Sequence, residues 1–188
     1  MPSKTNLLNK IPAYKTEQLL PGIRKVRFLF ESKGNMSIIK IVEYTYVRKL
    51  SGKKVYNLGF GDYNEEEGLI IDDCNSNNGD MRKVFRTVLS TVPLFFAKFN
   101  DAAIWVQGSD NAIDYKNDCA PNCTKKCDEI CKNYNRRIRA YRYYVDKNFQ
   151  ALSKEYLFLG HTINGNNHKF VNYIPGSDYH GILVFKKK

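Results

Sequence analysis

The stretch Asn35–Phe60, NMSIIKIVEYTYVRKLSGKKVYNLGF, decides the fold class. Side chains alternate between the two faces of an extended chain. Ile39, Ile41, Thr45 and Val47 therefore share one face, while Ile38, Val42, Tyr44 and Tyr46 lie near the other. Cover on much of both faces predicts one long strand, Asn35–Val47. Ser51-Gly52 predicts a turn, and Lys54–Phe60 predicts the next strand. Working upstream, Ile23, Val26, Phe28 and Phe30 begin a strand in Gly22–Phe30; downstream, Leu69–Ile71 adds a short one. Together these predict an antiparallel meander.

The pattern then changes period. Val84, Val88, Leu89, Val92, Phe95, Phe96 and Phe99 recur by threes and fours, which predicts a helix with an apolar stripe. Asp80 is the expected N-cap, since its carboxylate can accept N–H groups of the first turn. Pro93 removes one hydrogen bond and predicts a kink. Further on, Ala102–Gln107 is a buried strand closed by Gly108-Ser109, and Asn133–Phe149 is a second helix. Glu155–Thr162 and Asn167–Tyr173 form a hairpin across Asn164-Gly165-Asn166, and Gly181–Phe185 is the last strand. The fold class expected is α+β: a curved, mostly antiparallel sheet with two main helices packed on one face. Residues 1–21, broken by Pro12 and Pro21, are expected to be a flexible basic arm, and 22–188 a single domain with a Cys-rich insertion at 110–135.

The chain of 188 residues carries a net charge of +11, unevenly spread. Residues 1–54 hold twelve bases and three acids; residues 55–80 hold seven acids and no base; residues 120–150 hold eight bases and three acids. Such a basic excess suits RNA, DNA or another acidic partner, or serves solubility alone. No run of eighteen apolar residues predicts a membrane span, and Met1–Lys10 lacks the apolar core of a signal peptide, so the cytoplasm is the expected compartment.

Four cysteines, Cys119, Cys123, Cys127 and Cys131, stand four residues apart. On a helix that spacing places Cys127 and Cys131 on one face, with Pro121 holding Cys119 and Cys123 in a turn. Four thiolates around Zn²⁺ make a closed structural site. Two local disulfides, free thiols and an iron–sulfur cluster are the alternatives. Next to this segment, Arg136, Arg137, Arg139 and Arg142 form a row at helical spacing, interleaved with Tyr134, Tyr141, Tyr143 and Tyr144. Guanidinium groups grip phosphate in a two-pronged way, and tyrosine offers a face to an unpaired base. The Gly108-Ser109 turn can present backbone N–H groups to an anion. A solvated basic face, with Tyr141 and Val145 in the core, accounts for the same pattern.

His161, His168 and His180 are the bases near neutral pH. Tyr179 and His180, with Lys169 and Arg139, carry the groups that metal-independent RNA cleavage needs, and His161 is the other catalytic candidate. Asp62, Glu65, Glu66, Glu67, Asp72 and Asp73 lack the spacing of a calcium loop and read as a solvated hairpin tip. No phosphate loop, nucleophile elbow or dinucleotide fingerprint is present.

Tyr56-Asn57-Leu58-Gly59-Phe60-Gly61-Asp62 and Ser76-Asn77-Asn78-Gly79-Asp80, with Thr87-Val88 and Thr91-Val92, resemble the signatures of small uncharacterised bacterial proteins grouped as a domain of unknown function. Gly108-Ser109 and the arginine helix with Tyr141 resemble two further pieces, so the likeness spans roughly residues 22–188. It implies the fold and no activity, and about 26 residues between Ser109 and Arg136 depart from it. Three functional expectations follow from the residues. The first is a nucleic-acid- or phosphate-associated binding protein, in a toxin–antitoxin or defence pair. The second is a small metal-independent endoribonuclease, and the third a protein–protein interaction module.

Overall fold

The computed structural model describes residues 12–20, 22–71, 78–111, 115–123, 125, 127 and 131–188. Arm residues 1–11, Pro21, the acids Asp72 and Asp73, and Ser76-Asn77 of the turn signature lie outside the described residues, as do Cys74 and Lys126. The protein is α+β, with nine strands and two long helices among the described residues. The chain divides into two compact units: residues 1–49 with 56–101, and residues 50–55 with 102–188. No helix among the described residues is long and apolar enough to cross a membrane.

In the first unit, β1 (Glu17–Gln18) pairs antiparallel with β2 (Lys25–Lys33), and β2 with β3 (Ser37–Leu50). The sheet continues to β4 (Lys53–Asn64), whose far end pairs with β5 (Leu69–Ile71). Ser51 and Gly52, between β3 and β4, both have positive φ, 48° and 80°, as a tight two-residue hairpin turn requires. Glu65, Glu66 and Glu67 are exposed at the β4–β5 tip. Asp62, instead of joining them, forms an ion pair with the buried Lys40.

Helix α1 (Met81–Lys98) runs on through Pro93 and packs against β2. Phe95 anchors its inner face, stacked on Tyr44 at 4.4 Å and edge-on to Tyr56 at 5.2 Å. All three rings are fully buried, and the Tyr56 hydroxyl donates to the Ile23 carbonyl at 2.9 Å. Two threonines join that buried face where the apolar pattern had left gaps. Thr91 hydrogen-bonds the Tyr44 hydroxyl at 2.8 Å, and Thr87 accepts the Tyr14 N–H at 2.8 Å.

Asp80 does not cap α1 with its side chain. Its carboxylate instead accepts from the hydroxyls of Tyr14 at 2.7 Å and Ser32 at 2.6 Å. The neighbouring Asn78 amide donates to Ser32 Oγ at 2.8 Å and the Met36 carbonyl at 3.0 Å, while its oxygen accepts the Met36 N–H at 2.7 Å. Residues 12–20 are consequently not a loose arm: Tyr14 stacks on Phe30, lies under the Lys83 ammonium at 3.8 Å and accepts the Lys33 N–H at 3.0 Å. Burial, followed by the bond to Asp80, holds its hydroxyl pKa above the usual tyrosine value.

In the second unit the strand order is β6 (Ala103–Gln107), β9 (Gly181–Lys186), β7 (Tyr156–Asn164), β8 (Asn167–Asn172). Each neighbouring pair is antiparallel. Helix α3 (Arg136–Glu155) packs on β6 and β7 through Ile138, Tyr141 and Val145. Burying each of these contributes about 1.5–3 kcal/mol. Phe149 extends the contact by stacking on Tyr173 at 5.8 Å, and the Tyr173 hydroxyl donates to Asp146 at 2.6 Å.

Removing the Asp80 carboxylate leaves two hydroxyls without their acceptor, a loss of about 1–3 kcal/mol for buried groups. Asp80→Ala is expected to lower the urea midpoint markedly. Asp80→Asn, which keeps one acceptor oxygen, is expected to lower it less, and equal midpoints for the two variants would contradict the assignment.

Candidate nucleic-acid interface and cysteine cluster

Helix α3 presents two faces of different chemistry. Positions 138, 141 and 145 are buried. Positions 136, 139, 143, 147, 150 and 154, spaced by threes and fours, are exposed, which aligns them along one outer edge. That edge reads Arg, Arg, Tyr, Lys, Gln, Lys and contains no acid. Tyr143 is 61% exposed. The Lys147 ammonium lies 5.2 Å from its ring centroid and donates to its hydroxyl at 3.0 Å, so an open aromatic face and a cation are paired in advance.

The row expected from sequence is only partly on this edge. Arg136 and Arg139 belong to it. Tyr141 is buried and serves the core, so it offers no stacking face. Arg142 is largely covered and pairs with Asp178 at 2.5 Å. Arg137 is half-buried, and its backbone N–H is already taken. Tyr143, expected among the interleaved tyrosines, and Lys147, a cation of the same stretch, are both exposed on this edge.

The Gly108-Ser109 turn is not an open anion cradle. It leads into a short 3-10 turn, Ser109–Asn111, that buries Asp110. Asp110 Oδ2 accepts the N–H of Arg137 at 2.9 Å, and the Asp110 carbonyl accepts that of Asn135 at 3.0 Å. The protein's own carboxylate thus occupies the positive end of α3, where a phosphate would otherwise bind. Gly108 is glycine because a Cβ there would stand 2.2 Å from Asp110 Oδ1 and 3.3 Å from the Ile138 nitrogen.

Just ahead of α3, short helix α2 (Tyr115–Cys119) and a 3-10 turn holding Pro121 lead to Cys123. Cys127 and Cys131 are not helical, so their helical pairing is not what joins them. All four cysteines are free thiols. Cys123 and Cys127 sulfurs lie 3.5 Å apart, and contacts of Cys119 with Cys123 and Cys131, and of Cys127 with Cys131, close a ring. The Lys132 N–H points at the Cys127 sulfur, at 3.2 Å, and the Tyr134 N–H donates to the Cys131 carbonyl at 2.9 Å. The Asn133 amide donates to Cys119 at 3.3 Å and Cys123 at 3.9 Å.

This amide lowers the Cys119 pKa, and the Lys132 N–H lowers that of Cys127. Burial raises Cys131. At Cys123 the Lys125 N–H acts downward, but the bond with Cys127 and burial together leave it raised. Burial and the Cys119 sulfur push Tyr115 up to about 12. Among the described residues, no three His, Cys, Asp or Glu groups are drawn up around one point ready to hold a metal ion; the ring is a thiol cluster as it stands.

The histidines sit apart from α3's outer edge in their contacts. His161 and His168 rings stack, with Nδ1 of His168 3.3 Å from Nε2 of His161, and His161 meets Trp105 edge-on. The His180 backbone N–H donates to the His161 carbonyl at 2.9 Å. Tyr179 is buried and its hydroxyl accepts the Ile174 N–H at 2.9 Å.

These features define a basic-helix protein of α+β architecture whose helix begins at a cysteine cluster. The chain belongs to the Family of unknown function (DUF6934), whose model matches residues 12–114. The match takes in the Tyr14–Ser32–Asp80 contacts and stops just before α2. No curated protein and no solved structure matches the chain.

Gly108→Ala is expected to cost about 1–3 kcal/mol through overpacking, and Asp110→Ala about 0.5–2 kcal/mol through loss of the cap. Both act on one contact, so the double variant should lose less than the sum in urea unfolding. Strict additivity would show that Asp110 does not hold α3.

Proposed function

We propose that the protein binds single-stranded nucleic acid along the outer edge of α3, with the cysteine ring closed by a structural zinc ion. The observation that carries the first part is the acid-free edge of Arg136, Arg139, Tyr143 and Lys147. Cations at helical spacing track a phosphate backbone, and an exposed tyrosine among them stacks on a base irrespective of sequence. Arg142 stands outside this role because it is largely covered and paired with a carboxylate, Asp178.

The ring of sulfurs supports the second part. Two ligand sulfurs of a tetrahedral zinc stand about 3.8 Å apart for Zn–S bonds of about 2.3 Å, close to the 3.5 Å between Cys123 and Cys127. A disulfide needs about 2.05 Å. N–H groups aimed at sulfur are the outer contacts that orient thiolate ligands. Lys125 and Lys132, whose ammonium donates to the Lys125 carbonyl at 3.4 Å, bring positive charge to a four-thiolate site.

Fluorescence anisotropy with labelled single-stranded RNA and DNA, over a range of salt, tests the interface. Binding should weaken with salt, because phosphate contacts release counterions. The triple variant Arg136→Ala, Arg139→Ala, Lys147→Ala should bind at least about tenfold more weakly and flatten the log–log salt slope by about 2. Arg142→Ala should bind nearly as the parent does. Unchanged binding by the triple variant sinks the interface. Metal analysis after purification under reducing conditions should give about one zinc per chain, lost in Cys127→Ser; no zinc would rule out the closed site.

A further inference from the structure

Resting on that reading of α3, we propose that zinc occupancy of the cysteine ring fixes the first turn of α3, and so places Arg136 and Arg139 for the nucleic acid. Four residues, Lys132 to Asn135, join Cys131 to the helix. On the sulfur side, the Lys132 N–H serves Cys127 and the Asn133 side-chain amide bridges Cys119 and Cys123, while the Tyr134 N–H closes a turn on the Cys131 carbonyl at 2.9 Å. On the helix side, the Asn133 carbonyl accepts Arg136 N–H at 3.3 Å, and the Asn135 carbonyl accepts Arg139 N–H at 3.1 Å. The Arg139 guanidinium itself is held by the Tyr134 carbonyl at 3.0 Å and the Asn135 carbonyl at 3.2 Å. One short link, running on directly from Cys131, therefore holds the sulfurs of Cys119, Cys123 and Cys127 and also an arginine of the outer edge.

Two features make this link responsive to the metal. Zinc fixes its four ligand sulfurs at tetrahedral spacing, and with them the Lys132 N–H and the Asn133 amide that bond to them. Stripping the ion releases the sulfurs from one another, and the link loses its fixed anchors. Asn135, its last residue, has φ 57°, a left-handed conformation that a non-glycine residue keeps only where its surroundings impose it. Beyond the link, Asp110 holds Arg137, and Ile138, Tyr141 and Val145 hold the helix body to the sheet. The effect is therefore confined to the first turn and does not reach Tyr143 or Lys147.

The test compares zinc-loaded, chelator-stripped and zinc-reloaded full-length protein by hydrogen exchange, and by anisotropy with a fluorescein-labelled single-stranded RNA. Zinc should increase amide protection across residues 132–139 and leave 143–150 unchanged. Stripping should weaken RNA binding about tenfold, reversibly, and the Arg136→Ala, Arg139→Ala variant should bind equally with and without zinc. Protection of 132–139 by zinc in a protein that binds no RNA would uphold the coupling and sink the interface. Zinc bound at one per chain with no change in exchange at 132–139 would overturn the coupling, as would failure to bind zinc at all.

Discussion

The carboxylate of Asp80 is the point on which the first unit turns. Two hydroxyls, one from the segment before β1 and one from β2, end on it, and α1 starts at the next residue. A half-buried acceptor of this kind is stabilising while both donors are present. Asn78, two residues earlier, makes further bonds to Ser32, Asn35 and Met36 of the β2–β3 region. Gly34 admits it, since a Cβ there would meet the Asn78 carbonyl at 1.8 Å. The polar run Asn78-Gly79-Asp80 is thus a brace between a helix start and a hairpin, which gives it a mechanical meaning without invoking chemistry on a substrate.

Much of the architecture was legible because its signals are local. The alternation in Asn35–Phe60 and the spacing of Val84, Val88, Phe95 and Phe96 depend on one element facing one core, and both hold. The buried Thr87 and Thr91 were missed because their partners, Tyr14 and Tyr44, are distant in sequence. Asp80 looked like a cap for the same reason: a cap needs only its own helix, whereas the acceptor role needs Tyr14 and Ser32. Strand order is a wholly non-local property, and nothing in Gly181–Lys186 announces that it lies between β6 and β7.

The site divides along the same line. That arginines gather on one helix is visible from spacing, and Arg136 and Arg139 are indeed on its open edge. Which arginines are already engaged was not visible, because Asp178 lies 36 positions from the Arg142 it meets. Asp110 likewise takes the place that a ligand anion was expected to fill. Short-range thiol contacts such as Cys123 with Cys127 were foreseeable from the four-residue repeat, but through turns and not through a helix face.

The position of β9 has a bearing on how the second unit is made. It lies between β6 and β7, pairing with both, although it is translated after β6, β7 and β8. Until it emerges, β6 and β7 each lack a neighbour along one edge, and the apolar side chains under α3 have no complete floor. Ribosome-bound intermediates of this unit are therefore open-edged and prone to associate, and its closure is governed by a pairing between segments about eighty residues apart, a slow class of contact to form.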